Sequence, residues 1–384
     1  CRPKDKIPYT FVSSAGLHTS GLTSMNEYGI TVAAHAHFGK TISLSGAPIF
    51  HLGSMIVSQA RTLLEAIDIA KKSKTHANWT LVITSSSENN AVAIEMTPKQ
   101  IKTRYMKNDR LTHTNYFHDS QLNQQEALIS GARHDDDKAR IKRMNQYIDE
   151  NRTKIDPEKL MALSGDHHDP HSDQLRVYGN TVSVMTTVKS VVFDGAQNCV
   201  YVGLRNSTPV GTGKFFKITR DCFTSQKKPM EVNNPTKYSP HFLEEIKLYR
   251  ESYVAYHMEG NLKKSYTSIK KIANLEQKDA HVNLQASYLA MKSNKYDEAL
   301  QFLKWTKNKK LTKHMSQCRD IFLAMLYDIN GEREAATKIY NRLQKTSELT
   351  KISNLSKKYM KNKFSKKDVS NLMLDMQFPE PIDY

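Results

Sequence analysis

Alternating hydrophobic and polar positions in residues 1–220 predict a series of short β-strands. A turn on Asn26–Gly29 joins the first two of them. Apolar residues recur at helical spacing from Gly53 to about Lys74, and residues 120–163 have a polar, helical pattern. Two groups of strands separated by helices indicate two stacked sheets with helices outside, an α+β layered domain. The predicted strands are Tyr9–Ser14, Tyr28–His35, Thr80–Thr84, Ala91–Met96, Leu111–Asn115, Thr181–Thr186, Lys189–Asp194 and Cys199–Leu204.

After about residue 225 the pattern becomes helical, with no convincing strand. Three segments align so that the small residues Ser265, Ala299 and Ala336 fall 34 and 37 residues apart. This spacing is near the tetratricopeptide period, in which a small residue lies where two helices pack closely. A plain helical bundle is the alternative. We predict a layered domain over 1–225, a linker over 226–239 and a helical, tetratricopeptide-like domain over 240–384.

Composition and charge narrow the class of protein. Of the 384 residues, 39% are hydrophobic and 25% are charged, which is typical of a globular protein with a sizeable core. The net charge of +17 raises the question of an anionic partner. Its densest part is a run of seven lysines with no acid between Lys351 and Lys367, which fits a solvated helix face. We therefore expect no nucleic-acid binding and at most weak attraction to anionic surfaces.

Two residues carry candidate amide chemistry. The chain begins with Cys1, and an N-terminal cysteine combines a nucleophilic thiol with an α-amine whose pKa near 8 suits a general base. The alternative is that Cys1 is an ordinary residue at which the sequence starts. Asn115 ends a predicted strand, where a carboxamide can donate to a developing oxyanion. An asparagine at such a junction more often caps its own backbone.

Metal binding is not expected. The four cysteines lie far apart, with no pair at zinc-ligand spacing. The segment Asp166–Asp173 holds three histidines and three aspartates, but the neighbouring His167 and His168 point apart on any regular element. We expect this segment to be a polar loop at the rim of an active cleft, and we expect no cofactor.

Several motifs, in order, resemble the autoproteolytic acyltransferase and hydrolase family that includes acyl-coenzyme A:6-aminopenicillanic acid acyltransferase. More distant relatives are the conjugated bile salt hydrolases and acid amidases. The resemblance covers residues 8–215 and leaves the helical C-terminal region uncovered. The matching segments are Gly21–Ile30, the helix from Gly53, Val92–Pro98, His113–Phe117 and Thr187–Asp194.

This resemblance implies a four-layer αββα N-terminal nucleophile sandwich, followed here by the all-α repeat domain. It also implies hydrolysis or transfer of an acyl group from a linear amide through a cysteine thioester, without a cofactor. Cys1 would be the nucleophile and its α-amine the base, and Asn115 would be the oxyanion donor. His35, His113 and Tyr116 would bind the small-molecule amide or acyl donor. A protein partner is expected at the helical repeats, and the compartment would be the bacterial cytoplasm or periplasm.

The start of the chain departs from the family pattern. Only 24 residues separate Cys1 from Met25, without the G-R-N-x-D-like segment of the family. The charged run after Cys1 includes Pro3, which cannot donate to a strand ladder. Two readings therefore stay open beside the enzyme: a non-catalytic interaction protein, and an incomplete chain whose layered domain lacks its nucleophile strand.

Overall fold

A computed structural model describes residues 1–13, 16–17, 19–127, 131–153, 155–185, 187, 189–203, 213–220, 227–233, 236–275, 279–307, 309–347, 350–374 and 381–383. Its strands are β1 Tyr9–Phe11, β2 Thr23–Asn26, β3 Ile30–Ala36, β4 Trp79–Ser85, β5 Asn90–Met96, β6 Ile101–Tyr105, β7 His168–Asp169, β8 Gln174–Leu175, β9 Ser190–Asp194, β10 Cys199–Gly203, β11 Phe215–Thr219, β12 Met230–Val232, β13 Leu372–Leu374 and β14 Pro381–Asp383. Its helices are α1 Ile49–Gln59, α2 Leu63–Lys72, α3 Ser120–Asn123, α4 Gly131–Glu150, α5 Pro157–Ser164, α6 Pro240–His257, α7 Leu262–Leu275, α8 Ala280–Lys292, α9 Tyr296–Trp305, α10 Lys313–Ile329, α11 Arg333–Thr346, α12 Thr350–Lys361 and α13 Asp368–Asn371.

The chain divides into two compact units. The first comprises Cys1–Ile129, Met144–Asp166 and Thr187–Thr236, and the second comprises Ser130–Arg143, His167–Thr186 and Lys237–Tyr384. Strand β12 lies inside the predicted linker 226–239 and pairs with β11. The predicted domains are segments that would fold on their own, and compactness does not test independent folding. The predicted bounds 1–225, 226–239 and 240–384 therefore stay a prediction.

The first unit contains a six-stranded antiparallel sheet in the order β1-β2-β3-β4-β5-β6. Helices α1 and α2 cover one face, where apolar residues of β3, β4 and β5 meet those of the helices in a closed core. Strands β4 and β5 lie in the interior of this sheet, each with 7 residues. Their apolar side chains Leu81, Ile83, Val92 and Ile94 are fully buried. Each strand lies beside the strand that precedes it in the chain; short turns join β2 to β3, β4 to β5 and β5 to β6, whereas the connection from β3 to β4 contains α1 and α2.

A second antiparallel sheet, in the order β12-β11-β10-β9, has α5 packed on it. Its small core includes Met161 of α5 and Tyr201 and Phe215 of the sheet. The turns of the two sheets meet at Gly195, where an added Cβ would lie 2.8 Å from Cβ of Ser86. Helices outside two antiparallel sheets, followed by a helical C-terminal region, confirm the predicted α+β fold class.

The motif Gly21–Ile30 is explained by close packing against α1. The Nδ2 group of Asn26 donates to Val57 O at 3.1 Å and Ala60 O at 2.8 Å, the carbonyls at the end of α1. Its Oδ1 atom accepts the backbone N–H groups of Tyr28 and Ile30. One side chain thereby provides hydrogen-bond partners for two N–H groups of the turn and for two carbonyl groups at the end of α1.

The predicted single helix from Gly53 to Lys74 is wrong. Helix α1 ends at Gln59, because Ala60 is extended, and α2 starts after the N-cap Thr62, whose side chain accepts from Glu65 N. Helical periodicity continues through the break, so the apolar pattern alone does not reveal it.

Two predicted strands are also wrong. Residues 111–115 form a loop, since β6 (Ile101–Tyr105) occupies the place beside β5. Residues 181–185 form a buried turn in which Thr181 Oγ1 donates to Ser183 O. The first predicted strand ends at Phe11, and the sequence pattern does not predict β2, β6, β7, β8, β11 or β12. Ser14, Thr186 and Leu204 lie outside the described residues.

The second unit is built mainly of helical hairpins: α6 with α7, α8 with α9, and α10 with α11. The aligned small residues Ser265, Ala299 and Ala336 are all fully buried. The tetratricopeptide assignment of these hairpins stays a prediction. The expectation of no strand in this region is wrong, because β13 pairs with β14. None of the described helices is long and apolar enough to cross a membrane.

Candidate active site

Four of the five predicted site residues meet at one end of the six-stranded sheet. The loop 111–119 follows β6 and reaches the end of β3, where Asn115 Nδ2 donates to Ala36 O at 3.1 Å. The ring of His113 lies 5.0 Å from that of His35, measured between centroids. Tyr116 stacks on His118 at 4.8 Å, and His118 lies 5.3 Å from His113. Asn115, His35 and Tyr116 are half-buried, while His113 is buried.

Three imidazoles near Asn115, those of His37, His113 and His118, are held neutral. Burial lowers the pKa of His37 to about 3 and that of His118 to about 4. Burial, reinforced by repulsion from His35, His37, His118 and Arg104, also lowers the pKa of His113 well below its usual range. Neutral imidazole has one N–H donor and one acceptor nitrogen. These rings therefore supply directed hydrogen bonds and little positive charge near neutral pH.

His37 connects the loop to the sheet. Its Nε2 atom hydrogen-bonds to Thr80 Oγ1 at 2.8 Å, and its Nδ1 atom lies 3.3 Å from Glu126 Oε1. The same Glu126 oxygen accepts the N–H of Phe117 at 2.6 Å, and the Phe117 ring stacks on His37 at 4.1 Å. The backbone next to Asn115 is thus fixed by a carboxylate and a ring.

Cys1 lies elsewhere in the same unit. Its α-amine donates to Tyr9 O at 2.8 Å, its carbonyl accepts Tyr9 N at 3.1 Å, and its side chain is exposed. Beside it opens a cavity of about 130 Å³, lined also by Asn26, Asn198 and Arg220.

The strand register separates Cys1 from Asn115. Tyr9 pairs with Asn26 at the turn before Ile30, whereas Asn115 contacts Ala36 at the other end of β3. Six residues of strand span roughly 20 Å. The α-amine and thiol of Cys1 are therefore out of reach of a carbonyl held by Asn115 in this arrangement. The predicted roles of Cys1 and Asn115 stay predictions, but the structure does not bring the two residues together.

The histidine-rich segment Asp166–Asp173 makes local contacts. Asp169 accepts the backbone N–H of His171 and Ser172 and forms a buried ion pair with Arg176 at 3.3 Å. Within the described residues, no group of three or more His, Cys, Asp or Glu side chains could hold a metal ion. Within this segment His167 is fully buried, and its Nδ1 atom forms a hydrogen bond with Arg176 O.

Sequence reasoning missed five residues near Asn115: His37, Glu95, Arg104, His118 and Glu126. Two signals pointed to some of them. Glu95 is the only charged residue in the apolar strand Asn90–Met96, and His37 follows His35 at the spacing of residues on one face of a strand. Arg104, His118 and Glu126 carry no comparable signal in the sequence.

Comparison with known proteins places the chain in a family. No curated protein matches it. One similar solved structure is a mutant of the conjugated bile acid hydrolase from Clostridium perfringens, at 10% identity and a TM-score of 0.34, covering 60% of this chain and 82% of that one. A likeness this slight carries no argument. The sequence model of the acyl-coenzyme A:6-aminopenicillanic acid acyl-transferase family matches residues 4–208. Since that match spans more than half of its length, the chain belongs to the acyl-coenzyme A:6-aminopenicillanic acid acyl-transferase family.

Proposed function

We propose that this protein cleaves a linear amide, or transfers its acyl group, at the site formed by Asn115, His35, His113 and Tyr116. The observation that carries this proposal is the half-buried Asn115 carboxamide, fixed on Ala36 O among neutral imidazoles. A carboxamide held in this way is preorganised, so it can stabilise an oxyanion without first reorienting.

The proposed reaction proceeds through a cysteine thioester. The nucleophilic thiol gives its proton to the α-amine of Cys1, and the thiolate attacks the amide carbonyl and forms a C–S bond, while the carbonyl oxygen takes up negative charge and accepts a hydrogen bond from Asn115 Nδ2. Collapse of the tetrahedral intermediate breaks the C–N bond, and the amine leaves with the proton that the α-ammonium of Cys1 returns. Water or a second amine then attacks the thioester, which releases the acyl product and restores the thiol.

Cys1 is the candidate nucleophile. To act at Asn115, its segment has to leave the contact with Tyr9, and a backbone bond from Ile7 N to Ser58 O also holds this segment. The identity of the nucleophile is therefore the decisive test. The protein would be mixed with N-acyl p-nitroanilides from acetyl to decanoyl and with penicillin G, quenched in acid and mapped by mass spectrometry.

An acyl group on Cys1, with release of nitroaniline or 6-aminopenicillanic acid, supports the proposal. An acyl group on Cys199, Cys222 or Cys318 removes Cys1 from the mechanism. Absence of both turnover and acylation across the panel contradicts the proposal.

A second candidate is a non-catalytic interaction protein whose helical hairpins bind a partner. The distance between Cys1 and Asn115 along the sheet favours it. The same experiment separates the two candidates, since an interaction protein forms no acyl-enzyme.

A further inference from the structure

A buried carboxylate binds the C-terminal end of the loop that carries Asn115. Glu95 belongs to the central strand β5 and is 1% exposed. Both of its oxygens lie 3.1 Å from His118 N, and Oε2 accepts Asp119 N at 2.9 Å. Burial raises the pKa of the Glu95 carboxyl, and these N–H groups together with Arg104 oppose that shift. Hydrogen bonds to a carboxylate are among the stronger ones, so this contact fixes residues 118 and 119.

Arg104 of β6 binds the N-terminal end of the same loop. Its Nη2 atom donates to Thr112 O at 3.1 Å and to His113 Nδ1 at 3.3 Å. Its Nε atom forms an ion pair with Glu95 Oε1 at 3.8 Å. Burial lowers the pKa of Arg104, and the charge of Glu95 opposes that effect. Arg104, whose side chain is partly exposed, thus compensates the buried charge of Glu95, while each side chain holds one end of the loop.

The contact with Arg104 also fixes the hydrogen of His113. A guanidinium only donates, so Nδ1 must accept, and the neutral ring then carries its hydrogen on Nε2. Among the described residues, Nε2 of His113 is buried and has no hydrogen-bond partner. A buried N–H donor without a protein partner, two residues from Asn115, is suited to a ligand oxygen.

We propose that Glu95 and Arg104 are positioning residues, which hold the loop 112–119 so that Asn115 Nδ2 and His113 Nε2 present two N–H donors to the substrate oxygen. This inference rests on the proposed function. It extends that function by assigning a second donor and the ion pair that orients both.

The first test compares Glu95→Gln with Glu88→Gln. Glu88 also accepts a backbone N–H, that of Leu63 at 2.8 Å, but it follows β4 at the opposite end of the sheet. A glutamine at 95 cannot accept on both sides and leaves Arg104 without its counter-ion. With the p-nitroanilide that the wild type turns over best, kcat should fall on the order of 10- to 100-fold in Glu95→Gln with little change in KM. The Glu88→Gln protein should keep the wild-type kcat.

The second test reads the tautomer of His113 without using activity. Nitrogen-15 spectra of the labelled protein should show Nε2 protonated and Nδ1 unprotonated, with His113→Gln identifying the signals. Arg104→Met should give a mixture of tautomers. The double variant Glu95→Gln/Arg104→Met leaves no uncompensated buried charge, so it keeps the measurement possible if the single variant fails to fold.

Unchanged His113 signals in both Arg104 variants would overturn the inference. It would also be overturned if Glu95→Gln matches Glu88→Gln in kcat while Asn115→Ala has lost activity. If Asn115→Ala keeps full activity, the proposed function fails instead, and the tautomer measurement still judges the role of Arg104.

Discussion

At the scale of single residues, the site depends on where Asn115 holds its carboxamide. The bond to Ala36 O engages one hydrogen of Nδ2 at the end of β3. The oxyanion role requires the other hydrogen to reach the substrate. This bond joins residues 79 apart in sequence, so it is not a cap of the asparagine's own backbone. A structural asparagine that only ties the loop to β3 would make the same bond as an oxyanion donor, and the two roles differ in their effect on the reaction.

Asn115→Ala should lower kcat by roughly 10²- to 10³-fold with little change in KM, because an oxyanion donor acts mainly in the transition state. Steady-state kinetics on the preferred p-nitroanilide measures this. Asn151→Ala is the matched control, since Asn151 also donates its Nδ2 hydrogen to a backbone carbonyl, that of Tyr147. A loss seen only as a lower Tm, with normal kcat in the folded fraction, would assign Asn115 a structural role, that of tying the loop to β3.

Cys1→Ala should abolish turnover and leave the fold intact if Cys1 is the nucleophile, and Cys1→Ser should retain a small residual rate. The thiol is exposed, so its loss removes little packing. Turnover and circular dichroism are the measurements. A fully active Cys1→Ala protein removes Cys1 from catalysis.

The buried histidines should make the fold sensitive to acid. In the unfolded chain an imidazole binds a proton near pH 6.5, whereas native His37 does so only near about 3. Below pH 6.5 the unfolded state therefore binds more protons, and the free energy of unfolding falls as the pH drops from 6.5 towards about 3. The slope is at most about 1.4 kcal/mol per pH unit for each such histidine. Urea unfolding over this range should show a shallower slope in His37→Gln and the wild-type slope in the control His51→Gln, whose side chain is exposed.

At the scale of elements, the sequence was informative where strands are apolar throughout. Strands β4, β5, β9 and β10 were predicted within two residues of their bounds, because their apolar runs are flanked by polar turns. The break at Ala60 and the loop at 111–115 were not predicted, since both depend on residues that are distant in sequence. Asn26 holds the end of α1, and Arg104 holds the loop, and neither contact leaves a periodic signal. The grouping of His35, His113, Asn115 and Tyr116 followed from the family resemblance rather than from any pattern.

Gly53→Ala should destabilise the protein although it improves helix propensity by about 1 kcal/mol. An added Cβ at Gly53 would lie 2.2 Å from Gly21 O, which is backbone and cannot swing away. We expect a net loss of about 1–3 kcal/mol in the free energy of unfolding. His51→Ala, at an exposed position of α1, should stay within about 0.5 kcal/mol of the wild type. A stabilised Gly53→Ala protein would show that the approach of Gly21 to α1 is not tight.

At the scale of the whole molecule, the helical unit is discontinuous in sequence. Its core combines residues of the helical hairpins with Val177, Tyr178 and Met185, which come from the middle of the chain. Tyr178 stacks on Tyr249 of α6 at 5.5 Å and is buried. Composition placed the boundary near residue 225 because helical periodicity starts there. It gave no signal that an irregular segment contributes to the helical core.

Tyr178→Ala should destabilise the helical unit by about 3–5 kcal/mol, because it leaves a cavity against Tyr249. Thermal melting followed by far-UV circular dichroism measures this. Tyr105→Ala is the control, since Tyr105 is 48% exposed. Unchanged helical melting in Tyr178→Ala would favour a helical domain that is continuous in sequence.

The loop at the candidate site is held through its main chain, and this affects how the protein can diversify. Glu95 and Glu126 accept the backbone N–H groups of Phe117, His118 and Asp119, which every residue except proline possesses. The side chains at 116 and 118 can therefore be exchanged without loosening these bonds. Variants randomised at these two positions would sample new acyl or amine preferences while Asn115 stays in place. Under the proposed function, substrate choice and catalytic geometry would thus be encoded by different atoms of the same short loop.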